Sequence, residues 1–106
     1  MINESSFQSR LIRDIETQFP GCVVIKNDAN YIQGFPDLLV LVNDRWAALE
    51  CKRESTSRRR PNQDYYVNKL KGMSYASFVC PENKEQVLDE LQQTLGAGRT
   101  TRVSRR

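Results

Sequence analysis

The sequence predicts an α/β protein of the mixed α+β kind, a single mixed sheet with helices packed on it. Three observations predict this. Three polar segments carry apolar residues at helical spacing. Four short apolar runs have the length and composition of strands. Gly, Pro and Asn punctuate the boundaries and give the order α-β-β-β-α-β-α. At 106 residues the chain can bury one modest core, so residues 1–95 are expected to form one domain and 96–106 a basic, disordered tail.

The first helix is NESSFQSRLIRDIETQF. Asn3 or Ser5 can cap it, and Ser5 with Gln8 fits a capping box. Phe7, Leu11, Ile12 and Ile15 recur on one face, and Pro20-Gly21 ends the helix. CVVIK is a short β-branched strand, and NDANYIQGFP is a loop. DLLVLV is apolar on both faces and reads as a central strand covered on both sides. Asn43-Asp44-Arg45 makes a tight turn, and WAALECK returns as the next strand. Pro61 suits the first turn of a second helix, where Tyr66, Val67 and Leu70 share a face and Gly72 is the stop. SYASFVC is a further strand. The last helix begins at Pro81-Glu82-Asn83, with an Asn83/Gln86 capping box and a face of Val87, Leu88, Leu91 and Leu95. No internal repeat is found.

Composition excludes several chemistries. The chain has no histidine, so His-metal sites and Ser-His or Cys-His nucleophiles are out. Cys22, Cys51 and Cys80 are odd in number and far apart, with no C-x-x-C spacing. They read as small buried hydrophobes in a reducing compartment. No apolar run reaches about 18 residues and the N-terminus lacks a signal-peptide core, so no membrane partner is expected and the location is expected to be cytoplasmic. Net charge is +3, but four of the 16 basic residues lie in the tail GAGRTTRVSRR. The rest carries 12 basic against 13 acidic side chains. Positive charge is thus local, in KRESTSRRR (Lys52 to Arg60) and in the tail.

Acid stands at the ends of the two most apolar runs: Asp37 heads one, and Glu50 with Lys52 ends the other. Alternation puts Glu50 and Lys52 on one face with Cys51 opposite. A hairpin turning near Asn43–Arg45 lays the start of one strand beside the end of the other, so Asp37, Glu50 and Lys52 converge. A carboxylate at the core edge is costly without a cationic partner, and Lys52 is the expected one. Two carboxylates without histidine suit a hard cation, Mg²⁺ or Mn²⁺, which also takes water and phosphate oxygens. An ion pair closing the end of a sheet is the plainer reading.

The stretch GFPD, 12 residues, then ECK resembles the PD-(D/E)XK nuclease motif, including the proline before the aspartate. The element order resembles the αβββαβ restriction-endonuclease-like core of that superfamily, with an extra C-terminal helix. Within it the pattern looks most like the small VRR-NUC and Holliday-junction-resolvase-like members that phages often encode, over roughly residues 3–80. The resemblance implies a metal-dependent DNA endonuclease. Asp37 and Glu50 would be metal ligands with the carbonyl of Cys51, and Lys52 the catalytic lysine. Many members add a glutamate from the first helix; Glu4 and Glu16 compete, and at about 100° per residue Glu4 lies nearer the centre of the apolar face. A glutamine on the helix after the lysine, sometimes as Q-x-x-Y, would match Gln63 and Tyr66. Arg53, Arg58, Arg59 and Arg60 follow the site and are candidate DNA contacts, as are Lys26 and Tyr66. Asn27 and Tyr31 are groove candidates, and Trp46 reads as core. A homodimer acting on branched DNA or making paired nicks is expected by analogy, in a host cytoplasm if the chain is phage-encoded. Two other readings stay open: a catalytically silent DNA-binding or accessory module of a phage replication, recombination or assembly complex, and a protein–protein component.

Overall fold

The computed structural model describes residues 3–96, which form a four-stranded sheet covered by helices on both faces. Helix α1 (Glu4–Gln18) is followed by β1 (Val23–Lys26), β2 (Leu38–Val42) and β3 (Arg45–Cys51). Helix α2 (Pro61–Lys71), β4 (Tyr75–Val79) and α3 (Lys84–Leu91) complete the order, and a π-helical turn at Gln92–Gly96 extends α3. The basic tail beyond residue 96 lies outside the described residues.

The sheet order is β1-β2-β3-β4. The first three strands pair antiparallel, and β3 pairs parallel with β4, with α2 in the connection between them. Alternation sorts the side chains. Leu38, Val40, Ala47, Leu49, Cys51 and Val79 share a core with Phe7, Leu11 and Ile15 of α1 and Val87, Leu88 and Leu91 of α3. Ala48 and Ala76 face Val67 and Leu70 of α2, with Phe35, Leu39, Trp46 and Phe78 packed around them. The two-faced apolarity of β2 is thus used, although Leu41 stays half-buried.

Several local expectations need correction. Of the two candidate caps of α1, Asn3 is the one used, its side chain accepting the Ser6 N–H at 2.7 Å, whereas Ser5 lies inside the helix and forms no capping box. The β2–β3 turn holds two residues, Asn43 and Asp44, because Val42 already pairs with Arg45. Asn43 takes the left-handed conformation, φ 55°, which Asn tolerates better than most residues. Asn83 does not form a capping box with Gln86. Its carbonyl accepts the Cys80 N–H at 2.8 Å, its amide donates to Phe78 O, and Gln86 donates to Glu90 instead. Cys51 and Cys80 are buried and free, but Cys22 is half-buried just before β1.

Candidate active site

The two-residue turn fixes the register of β2 on β3, and that register assembles the acidic pair. Leu38 lies opposite Leu49, so Asp37 comes alongside Glu50 one step further on. Both side chains fall on the α2 face, since Leu38, Leu49 and Cys51 take the other. Two reciprocal hydrogen bonds tie them. The Asp37 N–H donates to Glu50 Oε1 at 3.2 Å, and the Cys51 N–H donates to Asp37 Oδ2 at 3.0 Å. Asn27 steadies the approach to Asp37 from β1. Its N–H donates to Asp37 O and its amide to Pro36 O, both at 2.8 Å.

Glu50 is 4% exposed, the one charged residue in the buried core among the described residues. Lys52 does not pair with it directly, as the sequence suggested. The Lys52 ammonium donates to Arg58 O at 2.9 Å and to Gln63 Oε1 at 2.8 Å. Gln63 Nε2 in turn donates to Glu50 Oε2 at 2.8 Å. Gln63 Oε1 also accepts the Arg60 N–H at 3.0 Å. These partners fix the carboxamide in one orientation, because a flip would set its NH₂ against an ammonium and its oxygen against a carboxylate. The lysine backbone continues the parallel pairing, its N–H donating to Val79 O at 2.8 Å.

The electrostatics follow from this burial. Burial, and then the Asp37 charge, push Glu50 up to about 8. Burial raises Asp37 as well, opposed by the Cys51 N–H and by Lys52. Glu4 is raised by burial and next by Asp37, with Lys52 and Arg53 pulling the other way. Glu4 thus senses the cluster from the first turn of α1.

Neither Asp37 nor Glu50 has a cationic group within ion-pair distance; among the described residues the ion pairs are Arg59–Asp64 and Lys84–Asp14. Among the same residues no three Cys, Asp or Glu side chains stand close enough to hold an ion by themselves. Two adjacent carboxylates and the backbone at Cys51 nevertheless suit Mg²⁺, which is commonly held by one or two carboxylates and completed by water and phosphate oxygens. The donor set fits.

The remaining candidates are spread around this centre. Arg60 lines an open polar cavity of about 270 Å³ that adjoins Asp37 and Glu50, with Asn30, Gln33, Phe35, Asn62 and Gln63 on its other walls. Arg59 turns away, its guanidinium 4.0 Å over the Phe78 ring and 3.5 Å from Asp64. Arg53 and Arg58 are exposed, and Lys26 is exposed at the end of β1. Tyr66 packs edge-on against Phe35 at 5.5 Å and against Tyr65 at 5.0 Å. Asn27 and Tyr31 border a separate apolar cavity with Ile32, Phe35 and Leu39. Sequence reasoning missed Asn30, Gln33 and Asn62, although Asn62 immediately precedes Gln63. It also missed the hold on the arginine-rich loop, where Ser55 donates its N–H and hydroxyl to Glu82.

No protein-family model and no curated protein matches the chain. A solved structure described as a VRR_NUC domain protein superposes with a TM-score of 0.66 at 15% identity, over 91% of this chain and 90% of its own. The chain therefore has a VRR-NUC-like fold.

Proposed function

We propose that this chain is a Mg²⁺- or Mn²⁺-dependent endonuclease that hydrolyses DNA phosphodiester bonds. The observation that carries the reading is the Asp37–Glu50 pair, Glu50 buried and Asp37 half-buried, held side by side without an ion-paired cation while a lysine is fixed one hydrogen-bonded bridge away. Burying a charged carboxylate is destabilising, so Glu50 either keeps a proton or takes a positive partner from outside the chain.

Asp37 uses Oδ2 for the Cys51 N–H, which leaves Oδ1 for a cation. Each oxygen of Glu50 accepts one hydrogen bond and keeps a second lone pair. A bound Mg²⁺ would supply charge neutralisation at the phosphate and make a nearby water more acidic. Lys52 has three N–H donors and two are used within the chain, so the third can orient the attacking water or meet charge building on phosphate oxygen. Arg53, Arg58 and Arg60 are the proposed phosphate contacts, and DNA is the proposed partner.

A homodimer with selectivity for branched DNA or for nicking belongs to the same reading. The edge strand β1 exposes Val23 and Ile25, at 52% and 40%, where a second copy could pack. Sedimentation measurements test that part. An accessory module without catalysis is the alternative.

The test is cleavage of supercoiled plasmid, single-stranded DNA and a four-way junction in Mg²⁺, Mn²⁺ or EDTA. Wild type is expected to cut only with metal, and Asp37→Ala and Lys52→Ala to be inactive. Retained DNA binding with no cutting on any substrate would favour the accessory module.

A further inference from the structure

The polar cavity beside Asp37 and Glu50 has a distinctive wall. Asn30, Gln33 and Asn62 present carboxamides that make no side-chain hydrogen bond to another described residue, whereas both ends of the Gln63 carboxamide are engaged. A carboxamide offers a donor and an acceptor on one plane, as the edge of a nucleobase does. Phe35 adds an aromatic ring, braced by Tyr66, and Arg60 adds a cation. Gly34 keeps loop and helix in contact: its φ is +86°, and a Cβ there would stand 2.5 Å from Asn62 Cγ. The loop before β2 and the start of α2 therefore form one continuous wall.

The volume, about 270 Å³, lies just under the roughly 300–1,000 Å³ of clefts that enclose a drug-sized ligand. A space of this size is filled by one unit of a polymer. Its position next to the carboxylates makes that unit a neighbour of the bond to be cut.

We propose that this cavity receives one unpaired nucleotide of the DNA strand beside the scissile phosphate. The base packs on Phe35 and bonds its edge to Gln33, Asn62 and Asn30, and Arg60 meets the adjoining phosphate. A base still paired in a duplex cannot enter, because its edge is occupied and its faces are stacked. The preferred substrate is then DNA with a single-stranded or opened segment at the cut. This rests on the nuclease reading and narrows its substrate class.

The experiment uses fluorescein-labelled duplexes with a single-stranded flap, in which one abasic residue is moved position by position through the flap and junction. Binding is read by anisotropy in EDTA, and cleavage in parallel in Mg²⁺. One abasic position is expected to weaken wild-type binding by about fivefold or more, the lower end of what a stacked base contributes. The Gln33→Ala/Asn62→Ala variant is expected to bind intact and abasic DNA alike at that position. Gln33→Ala alone, at an exposed site, is expected to narrow the difference without loss of fold. A flat scan with efficient wild-type cutting would overturn the pocket and leave the nuclease standing. A position-specific scan that the variants do not change would also overturn it, by placing base recognition elsewhere. A position-specific scan abolished by the variants, with no cutting, would support the pocket and overturn the nuclease reading.

Discussion

Lys52 reaches Glu50 only through Gln63, whose oxygen takes the ammonium at 2.8 Å and whose NH₂ meets the carboxylate at 2.8 Å. A neutral bridge of this kind holds an acid and a base group at fixed separation without letting them neutralise each other. The carboxylate stays available to a cation, and the ammonium keeps a free donor.

Gln63→Ala should therefore lower both metal affinity and cleavage, by about 10–100-fold as for other residues that orient metal ligands. Gln63→Glu should be no better, because it sets a third carboxylate against Glu50 and pairs directly with Lys52. Single-turnover cleavage across a Mg²⁺ titration separates the two losses. Unchanged rates in Gln63→Ala would remove the bridge from the mechanism.

The raised pKa of Glu50 predicts how metal-free stability depends on pH. The folded chain holds this proton more tightly than the unfolded chain, about 8 against 4.5. The contribution is complete below 4.5 and is lost as pH rises through about 8. In EDTA the melting temperature should fall across that window, and Mg²⁺ should reduce the fall by standing in for the proton. The Glu50→Ala variant should lack this component. Scanning fluorimetry from about pH 5 to about pH 9 measures it.

Asp37→Asn should abolish cleavage and yet stabilise the metal-free protein near neutral pH. The amide oxygen can still accept the Cys51 N–H, while the charge beside Glu50 is gone. A gain of about 1–2 kcal/mol in urea unfolding is expected, as when active-site strain is relieved. A loss of stability would mean that Asp37 is a structural anion.

The arginines after β3 should differ in their salt response. Arg60→Ala should reduce the slope of log affinity against log salt by about 0.7–0.9, one phosphate contact. Arg59→Ala should change it little, because Asp64 and Phe78 already engage that guanidinium. Equal effects would show that Arg59 leaves Phe78 when DNA binds.

Gly34→Ala and Gly21→Ala make a matched pair. Both positions have left-handed backbone, φ +86° and +88°, so both lose conformational ease. At Gly21 nothing lies within 4 Å of the added Cβ, whereas at Gly34 it meets Asn62 at 2.5 Å. Gly34→Ala should therefore cost about 1–3 kcal/mol more than Gly21→Ala in urea unfolding and should weaken DNA binding as well.

Asp37, Glu50 and Lys52 were legible because a tight hairpin and strict alternation leave little choice about which ends meet. That Glu4 lies within electrostatic reach of Asp37 follows from its place on the apolar face of the first helix. The bridge was not, because it depends on how α2 sits over the sheet and on the path of the Lys52–Arg60 loop, neither of which has a sequence period. The two capping boxes failed for a related reason. Ser5 and Asn83 have the right chemistry, but Asn3 stands earlier at the first helix, and at the last the carboxamide found nearer backbone partners at Phe78 and Cys80. Residue type limits what a side chain can bind, and local geometry decides which partner it takes.

The parallel pairing of β3 with β4 has a consequence for the order of assembly. The β2–β3 hairpin closes through a two-residue turn and brings the two acids together early. Anchoring Lys52 requires Val79 from β4 and Gln63 from α2, across loops whose closure is slower. A nascent chain stopped at the hairpin would hold the acids without a positioned lysine. The proposed hydrolytic competence would then arrive with the last contacts of folding, and pulse-labelled amide exchange at Lys52 should report the same late step.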